Sequence, residues 1–422
     1  MDRVRLAVHT IALNEIKHVD DFMRHCAEAD EVIVCDTGST DGTAERLEEL
    51  GAKVYRISVK PWRFDDARNT ALSLVSPDID IALSIDIDEF LQPGWRNEIQ
   101  TAWDETNGKV TRIGYNYIWN WKADGTPDKQ FIANKIHARR GYRWRHPCHE
   151  TLYYEGAGHE WQVTRPGLVL EHHADFSKSR GQYLPLLKIA VEEDPTNDIM
   201  RLWYARELMF HAHYDDAIEH FHVYLKNTPG PTEERASGIR YLSRCHGYKG
   251  NNEDSTSWAW EAVKEWPHTR EPWLDLVRAA NRTHDWKTAY YAATKALAIN
   301  NPVANYIGEP ASYSSEPYDL ACLAAYYSGH YKEALTFACE ALTYNPDDGR
   351  FQNNIILCAT LDTDVDKYQV TADNFDAVRQ IVTSNTRRCL ITLADESIRQ
   401  QWDNEFALPY LRNVNSVNKI KM

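Results

Sequence analysis

The sequence has few cysteines, and they are not arranged as a metal site or a disulfide framework would require. Its eight cysteines are scattered from Cys26 to Cys389 without a Cys-x-x-Cys pair. This spacing excludes a small disulfide-stapled fold and a zinc ribbon, and it indicates buried, reduced thiols. We therefore expect the protein to work in a reducing compartment, the cytoplasm.

Long hydrophobic runs are also missing. No apolar stretch approaches the roughly 18–20 residues that a membrane-spanning helix needs. The first residues are a poor signal peptide, because His9 and Thr10 interrupt the apolar stretch and Asn14 follows it. The sequence thus predicts neither a membrane span nor a leader, and residues 4–13 fit a first β-strand.

Basic residues are outnumbered by acidic ones. The chain has 47 Lys+Arg against 62 Asp+Glu, a formal net charge of −15. This balance disfavours nonspecific adhesion to nucleic acid or anionic membrane, although a local basic patch can override the average. The 422 residues, 43% of them hydrophobic, fit an ordinary folded protein of two or three domains.

The first part of the chain alternates between strand and helix patterns. Short apolar runs at residues 31–35, 53–57 and 79–85 are separated by amphipathic stretches of about ten residues. Strands that alternate with helices predict βαβ units and a mostly parallel sheet. Residues 110–119 alternate without an intervening helix, which suggests a mixed-sheet edge. We predict a Rossmann-like α/β domain over residues 1–180.

From about residue 180 the pattern becomes helical. Segments that each pair two amphipathic stretches end at Pro229, Pro267, Pro302 and Pro346. A small residue precedes each proline by 12 or 13 positions, namely Ala217, Ser255, Ala289 and Ala334. A period near 34 with a small residue at the helix contact resembles the tetratricopeptide repeat. We predict degenerate repeats over residues 181–360 and a helical extension or cap over 361–422; a helical bundle without true repeats is the alternative.

Four short polar segments follow predicted strands or open predicted helices. They are Asn14-Glu15, Asp36-Thr37-Gly38-Ser39-Thr40-Asp41-Gly42-Thr43, Ala67-Arg68-Asn69 and Asp86-Ile87-Asp88-Glu89. Each segment alone is a weak signal. In open α/β sheets the ligand lies beyond the carboxyl ends of the strands, so the four segments in this order predict one shared site.

The order of these segments resembles the GT-A glycosyltransferases of the inverting family two, and more closely a subgroup with C-terminal tetratricopeptide repeats. Further matching segments are Trp144-Arg145-His146-Pro147-Cys148-His149-Glu150, Glu171-His172-His173, Pro302 with Tyr306, and Tyr326-Tyr327-Ser328-Gly329 with Tyr331. The likeness therefore covers nearly the whole chain. One departure is Ala12-Leu13, where relatives more often carry valine and lysine before the asparagine.

The resemblance implies a nucleotide-sugar over the carboxyl edge of the sheet. It places the donor on Ala12, Asn14, Glu15, Asp36, Ser39, Arg68, Asp86 and Ile87. Asp36 is expected to accept hydrogen bonds from uracil or ribose. Arg68 is expected either to meet the phosphates or to hold a carboxylate in a structural ion pair.

A divalent cation is expected at the same edge. Asp86 and Asp88 offer hard oxygen ligands that, with phosphate oxygens, suit Mg²⁺ or Mn²⁺; the alternative is a solvated acidic loop. The resemblance adds a histidine ligand, for which His172 is the better match and His173 the second. Glu150 is our candidate for the general base; its alternative roles are a metal-linked group and a salt-bridge partner of Arg143 or Arg145.

The sequence says less about which residues would bind the acceptor than about the donor. Residues 129–149 hold six Lys or Arg and no Asp or Glu, interleaved with aromatic residues. Such a segment could bind an anionic acceptor, including nucleic acid, by stacking and phosphate contact. The alternative, which we favour, is that these cations offset the diphosphate and the acidic body of the protein.

These observations favour a metal-dependent inverting glycosyltransferase of the hexosyl- or pentosyltransferase class. It would use a nucleotide-diphospho-sugar, foremost a UDP-sugar, and the acceptor would be a glycan, a peptide or another molecule. A second hypothesis keeps the enzyme but makes the acceptor a modified nucleic-acid base. A third is a noncatalytic repeat scaffold with a decayed GT-A domain, against which the intact Asn14, Asp36, Asp86 and Asp88 argue.

Overall fold

The computed structural model describes residues 3–122, 125–174, 181, 183–300, 307–384, 389–405 and 418–421. The chain divides into two compact units, a first unit up to Leu208 and a second that begins at Met209. The predicted boundary at residue 180 and the predicted repeat residues Pro302 and Tyr306 lie outside the described residues. No helix within the described ranges is both long and apolar enough to cross a membrane.

The first unit is an α/β domain built on a mixed sheet. Its strands are β1 (Leu6–Ala12), β2 (Glu31–Asp36), β3 (Lys53–Arg56), β4 (Ile81–Ser84), β5 (Glu89–Leu91), β6 (Arg112–Trp121), β7 (Pro127–Ala138), β8 (Tyr142–Arg145), β9 (Thr151–Tyr154) and β10 (Gln162–His172). Its helices are α1 (Ile16–His25), α2 (Thr43–Glu49), α3 (Phe64–Leu74), α4 (Trp95–Glu105), α5 (Tyr183–Glu193) and, continuing past the division at Leu208, α6 (Asp198–Phe210).

Eight of these strands form one sheet in the order β3-β2-β1-β4-β7-β6-β10-β5. The strands β3, β2, β1 and β4 are parallel neighbours, as their alternation with helices predicts. β7 is antiparallel to both β4 and β6, and β10 is parallel to β6. β6 and β10 therefore run in the same direction as β1, and their carboxyl ends reach the same edge of the sheet.

The remaining two strands of the first unit, β8 and β9, form an antiparallel hairpin. Helix α3 holds this hairpin at two points. The Asn69 side chain donates to the carbonyl of Trp144 and accepts from its amide, at 2.8 and 2.9 Å, and the Phe64 amide donates to the carbonyl of Pro147. The segment that joins β8 to β9, which ends in Glu150, is thereby fixed against the start of α3.

The second unit consists mainly of paired helices. They are α7 (Tyr214–Asn227), α8 (Glu233–Tyr248), α9 (Asn252–Glu265), α10 (Arg270–Arg282), α11 (Trp286–Leu297), α12 (Glu316–Tyr327), α13 (Tyr331–Tyr344) and α14 (Gly349–Leu361). The small residues Ala217, Ser255, Ala289 and Ala334 are all fully buried. Small side chains let neighbouring helix backbones approach closely. The predicted fold class, an α/β domain followed by repeat-like helices, is confirmed.

The end of the chain differs from the predicted helical extension. It contains β11 (Asp366–Val370), α15 (Phe375–Ser384), β12 (Cys389–Leu393), α16 (Glu396–Glu405) and β13 (Asn418–Lys421). β12 pairs in parallel with β11 and antiparallel with β13. The run Cys-Leu-Ile-Thr-Leu of β12 is too short and too rich in β-branched residues for a stable helix, and strand pairing with distant segments decides its conformation.

Asp275 is the charged centre of the second unit, and we expect its replacement by asparagine to destabilise this unit strongly. Its carboxylate, 1% exposed, accepts hydrogen bonds from Arg240, Arg244 and Arg278 at 2.8 Å. Removing one partner from a buried ion network leaves uncompensated charge and costs about 3–5 kcal/mol. Denaturant unfolding at neutral pH, followed by circular dichroism, would measure the loss in Asp275→Asn.

The pH dependence of this contribution follows from the same contacts. Burial alone would raise the pKa of Asp275, but the charges of Arg244, Arg240 and Arg278 hold it well below its usual 3.8. Its stabilising contribution is therefore complete above the ordinary aspartate range and is lost as the pH falls through the depressed value. The exposed ion pair of Asp364 with Lys332 supplies the control: Asp364→Asn should leave stability nearly unchanged. Equal effects of the two variants would contradict the prediction.

Candidate functional site

The first two loops at the carboxyl edge are interlocked by Asn14. Its backbone amide donates to Ser39 Oγ at 2.9 Å, and its side-chain oxygen accepts from the backbone amide of Thr40 at 2.8 Å. The next amide, of Glu15, donates to Thr43 Oγ1 at 2.8 Å. The structure thus brings Asn14, Glu15 and Ser39, all predicted donor-binding residues, into one rim.

Asp36 lies at the end of β2 and organises the second loop. Its side chain is buried, and it accepts hydrogen bonds from the amides of Gly38 and Ser39, both at 3.1 Å. Gly38 has a φ of +117°, which favours glycine at this turn. Ala12, at the end of β1, contributes through its backbone, because its carbonyl accepts from the amide and hydroxyl of Thr37.

We expect Asn14 to stabilise this rim in two ways that substitutions can separate. Its φ of +55° is left-handed, a conformation that costs roughly 1–2 kcal/mol for most residues but little for glycine. Asn14→Ala should lose the hydrogen bond to Thr40 and also incur this backbone cost, whereas Asn14→Gly should lose mainly the hydrogen bond, about 1 kcal/mol. Urea unfolding midpoints of both variants would test this order. If the glycine variant were the less stable, the backbone argument would be wrong.

Asp86 follows β4 and is held by two cations. Arg68 Nη1 lies 2.8 Å from Asp86 Oδ1, and Lys135 Nζ lies 3.5 Å from Asp86 Oδ2. Burial alone would raise the pKa of Asp86, but the charges of Arg68 and Lys135 hold it well below its usual range. Asp86 is therefore ionised and already has cationic partners.

Glu89, the first residue of β5, is buried and holds the same loop by hydrogen bonds. It is 2% exposed, accepts from Tyr117 Oη at 2.6 Å, and lies 3.2 Å from Lys135 Nζ. Its other oxygen accepts from the Asp86 amide at 2.9 Å. Lys135 and Tyr117 thus support the acidic loop, a role that is not evident from the sequence, although Lys135 belongs to the basic segment 129–149.

Asp88 meets His172 at the same edge. Asp88 Oδ2 lies 3.5 Å from His172 Nε2, and His172 Nδ1 lies 3.1 Å from the carbonyl of Trp119. Burial works against the charged imidazole, but the hydrogen bond and charge of Asp88, followed by the charge of Glu89, raise the pKa of His172. The neighbouring His173 instead stacks on Phe90, with ring centroids 4.6 Å apart.

The three predicted metal ligands are only partly assembled. Asp88 and His172 face each other, while the oxygens of Asp86 face Arg68 and Lys135. Within the described ranges, no group of three or more His, Cys, Asp or Glu side chains is arranged to hold a metal ion. The Asp88–His172 pair fits a divalent cation by ligand type, since Mn²⁺ accepts both carboxylate and imidazole. The Ile87 side chain is buried in the core, so only its backbone can contact a ligand.

Glu150 lies beside the acidic loop and is held by Arg68. Arg68 Nε donates to Glu150 Oε1 at 2.5 Å, and the two side chains are 7% and 12% exposed. The salt bridge of Glu150 with Arg143 or Arg145 that the sequence suggested is wrong, and Arg145 instead pairs with Glu155. A single guanidinium therefore joins Glu150 to Asp86.

A cleft of about 410 Å³ lies beside α3. It is lined by the side chains of Arg63, Asp65, Asp66, Asn69, Arg143, Trp144, Arg145, His146, Tyr153, Glu155, Ala190, Glu193 and Asp194. Its acidic residues outnumber its arginines. Cations of the 129–149 segment are also engaged elsewhere, since Lys135 binds Glu89 and Arg139 donates to the carbonyl of Val75. This cleft is not a basic surface for nucleic acid.

Comparisons with known proteins give a family for part of the chain. Residues 7–152 match the family described as "Glycosyl transferase family 2". An "Uncharacterized glycosyltransferase" of Haemophilus influenzae is 25% identical over 188 residues, which is 41% of this chain and 55% of that protein. The chain therefore spans about half the length of this relative.

Solved structures similar to this chain include proteins with tetratricopeptide repeats. TTC0263 of Thermus thermophilus has a TM-score of 0.32 and 19% identity, and the match covers 42% of this chain and 89% of that one. YrrB has a TM-score of 0.35 and 11% identity, with 52% of this chain and 97% of that one covered.

Proposed function

We propose that the chain, whose residues 7–152 form a glycosyl transferase family 2 domain, transfers a hexosyl or pentosyl group from a nucleotide-diphospho-sugar to an acceptor with inversion. A UDP-sugar is the proposed donor. The observation that carries this proposal is the cluster at the carboxyl edge, where Asp86 lies between Arg68 and Lys135 and Asp88 faces His172. Ligands of open α/β sheets bind at this edge.

The proposed donor lies across the interlocked rim and the acidic loop. Ala12, Asn14, Glu15, Asp36 and Ser39 would surround the nucleoside, and the backbone of Ile87 would lie beneath the sugar. The diphosphate carries negative charge, so Arg68 and Lys135 are its natural partners. Both cations are held by Asp86 before donor binding, which keeps them oriented.

Asp88 and His172 would hold Mn²⁺ or Mg²⁺. Asp86, which is bound by Arg68 and Lys135, would be the third ligand. When bound, the ion would neutralise the charge of the leaving diphosphate. The 3.5 Å separation of Asp88 and His172 supports this assignment. The proposed contribution of His172 is a neutral imidazole nitrogen, held in orientation by the carbonyl of Trp119.

Glu150 is the proposed general base. In a one-step inversion the acceptor oxygen or nitrogen attacks the anomeric carbon, the bond to the diphosphate breaks, and a carboxylate takes the proton of the nucleophile. One oxygen of Glu150 binds Arg68, and its other oxygen would receive the proton. The competing role is positioning, in which Glu150 serves only to orient Arg68.

We propose a division of labour in which residues 1–180 bind the donor and residues 181–360 hold the acceptor, with 361–422 as a terminal cap. The 129–149 segment would line the acceptor side. A nucleic-acid acceptor is not favoured, because the contacts of Lys135 and Arg139 engage them within the protein. All eight cysteines are buried and scattered without the spacing of a disulfide framework, which supports a cytoplasmic location.

Thermal stabilisation by UDP-, GDP- and dTDP-sugars, with and without Mn²⁺, would test the proposed function. A ligand that binds only the folded state raises the melting temperature. We expect a UDP-sugar with Mn²⁺ to give the largest shift, and release of UDP to follow when an acceptor is added. If no sugar nucleotide shifted the melting temperature under either condition, the proposal would be wrong.

A further inference from the structure

The second unit contains a small, strongly charged cleft that the proposed transfer reaction does not use. It measures about 220 Å³ and is lined by Ser243, Arg244, Tyr248, Asp275, Arg278, Arg282 and Glu309. Pockets that enclose drug-sized ligands measure roughly 300–1,000 Å³. The cleft is therefore suited to one small group and not to a whole nucleotide.

Most of the charges in this cleft neutralise one another. Arg244 donates to Asp275 at 2.8 Å and to Glu309 at 2.8 Å. Arg278 donates to Asp275 at 2.8 Å and to Glu316 at 2.6 Å. These bonds fix both guanidinium groups, so the cleft is rigid and its charges are oriented before any ligand arrives.

Arg282 is the exception. Its Nη2 donates to the neutral Ser255 Oγ at 2.6 Å, and no carboxylate of the described part of the chain forms an ion pair with it. Its Nε is buried and has no hydrogen-bond partner among these residues. Burial lowers the pKa of Arg282; the charge of Asp275 opposes this shift without cancelling it, and the charges of Arg278 and Arg244 add to it. An unpaired cation in a partly buried site is costly, and an anion in the cleft would offset the charge of Arg282.

Helix α8 leaves space for the Arg282 guanidinium because it carries a glycine at the point of contact. Gly247 lies near the end of α8, and a Cβ atom added there would lie 2.5 Å from Arg282 Nη2. Glycine in a helix interior costs roughly 0.5–1 kcal/mol relative to alanine. The position of the unpaired cation thus depends on a residue that is unfavourable for the helix itself.

We propose that this cleft is a binding site for one oxyanion, a carboxylate or a phosphate carried by a partner molecule, with Arg282 as its principal ligand. Counted with all its ion-pair partners, the cluster has four guanidinium groups, of Arg240, Arg244, Arg278 and Arg282, against the three carboxylates of Asp275, Glu309 and Glu316. One positive charge remains, and one oxyanion balances it. The planar donors of arginine match carboxylate and phosphate oxygens, and the bond is charge-assisted.

Titration of the full chain with inorganic phosphate and, separately, with acetate would test this proposal at constant ionic strength. The readout is the ¹H–¹⁵N signal of Arg282 Nε, assigned by its absence from the spectrum of Arg282→Gln. We expect a saturable shift with at least one of the two anions. Phosphate alone identifies a phosphate site, and acetate alone a carboxylate site. A response equal to that of chloride with both would overturn the proposal.

Gly247→Ala tests the anion site without removing any of its charges. The added methyl should displace the Arg282 guanidinium while the helix gains intrinsic stability, so this variant tests the site even if Arg282→Gln does not fold. We expect its anion affinity to fall roughly 10- to 100-fold, the loss of one charge-assisted hydrogen bond. Arg350→Gln, which removes an exposed arginine of the same unit, should bind the anion like the wild type. Unchanged affinity in Gly247→Ala would overturn the proposal.

Discussion

Glu150→Gln should reduce the rate of sugar transfer by roughly 10²–10⁴ and leave the affinity for the donor nearly unchanged. Glutamine keeps the size of the side chain and can still accept from Arg68 Nε, but it cannot take a proton from the nucleophile. The hydrogen bond that holds Glu150 beside Asp86 should therefore persist in the variant. Steady-state kcat and KM for the donor, measured with a saturating acceptor, would separate the two effects.

Arg68 and Glu155 supply the controls for this prediction. If Glu150 acts only by orienting Arg68, Glu150→Gln should keep near-normal turnover because glutamine retains that hydrogen bond, whereas Arg68→Lys should lower turnover and raise the KM for the donor. Glu155→Gln removes an exposed carboxylate of the same region, paired with Arg145, and should retain near-normal turnover. Near-normal turnover in Glu150→Gln, or combined loss of donor binding and stability, would contradict the base assignment. Asp65 and Asp66, at the start of α3, are then the next carboxylates to test.

Asp88→Ala should abolish Mn²⁺-dependent nucleotide binding while the fold persists. Asp88 faces His172 at 3.5 Å, and its removal leaves His172 and Asp86, whose oxygens are already held by Arg68 and Lys135. One imidazole and a carboxylate engaged by two cations bind a divalent cation too weakly to bridge it to a diphosphate, so transfer should fall below detection. The melting-temperature shift produced by Mn²⁺ with UDP, compared between the wild type and the variant, measures this effect.

Two further variants show whether the effect is specific to Asp88. Asp128→Asn removes an exposed carboxylate of β7, hydrogen-bonded to Asn120, and should bind Mn²⁺ with UDP like the wild type. His172→Gln should weaken the metal-dependent shift without abolishing it, because Asp88 remains. An equal shift in the wild type and in Asp88→Ala would exclude Asp88 as a metal ligand.

The parts of the fold that depend on local patterns could be predicted from the sequence. The runs predicted as strands at 31–35 and 53–57 correspond to β2 (Glu31–Asp36) and β3 (Lys53–Arg56). Periodicity depends on neighbours within a few residues, so it is readable without the rest of the chain. The loops at the carboxyl edge follow from the same reasoning, because parallel strands bring their ends together.

The contacts between distant segments could not be predicted. Lys135 reaches Asp86 because β7 lies antiparallel between β4 and β6, and nothing in a single strand specifies its neighbour. The partner of Glu150 is Arg68, which lies 82 positions earlier in the sequence, and not one of the nearby arginines. Proximity in sequence is a poor guide to ion pairs once a hairpin packs against a helix. For the same reason the strand pairing of β11 and β12 was missed.

The interlocked rim also bears on how quickly a donor can bind. Because Asn14 fastens the first loop to the second through Ser39 and Thr40, neither loop can swing away by itself. The conformational entropy of the two loops is lost when the protein folds. A ligand that binds to the rim therefore does not have to order these loops at a further entropic cost. Association of the donor with the rim should therefore proceed in one kinetic step, without a slow rearrangement of the loops. Slow backbone-amide hydrogen exchange at Asn14 and Thr40 in the free protein would be the corresponding signature.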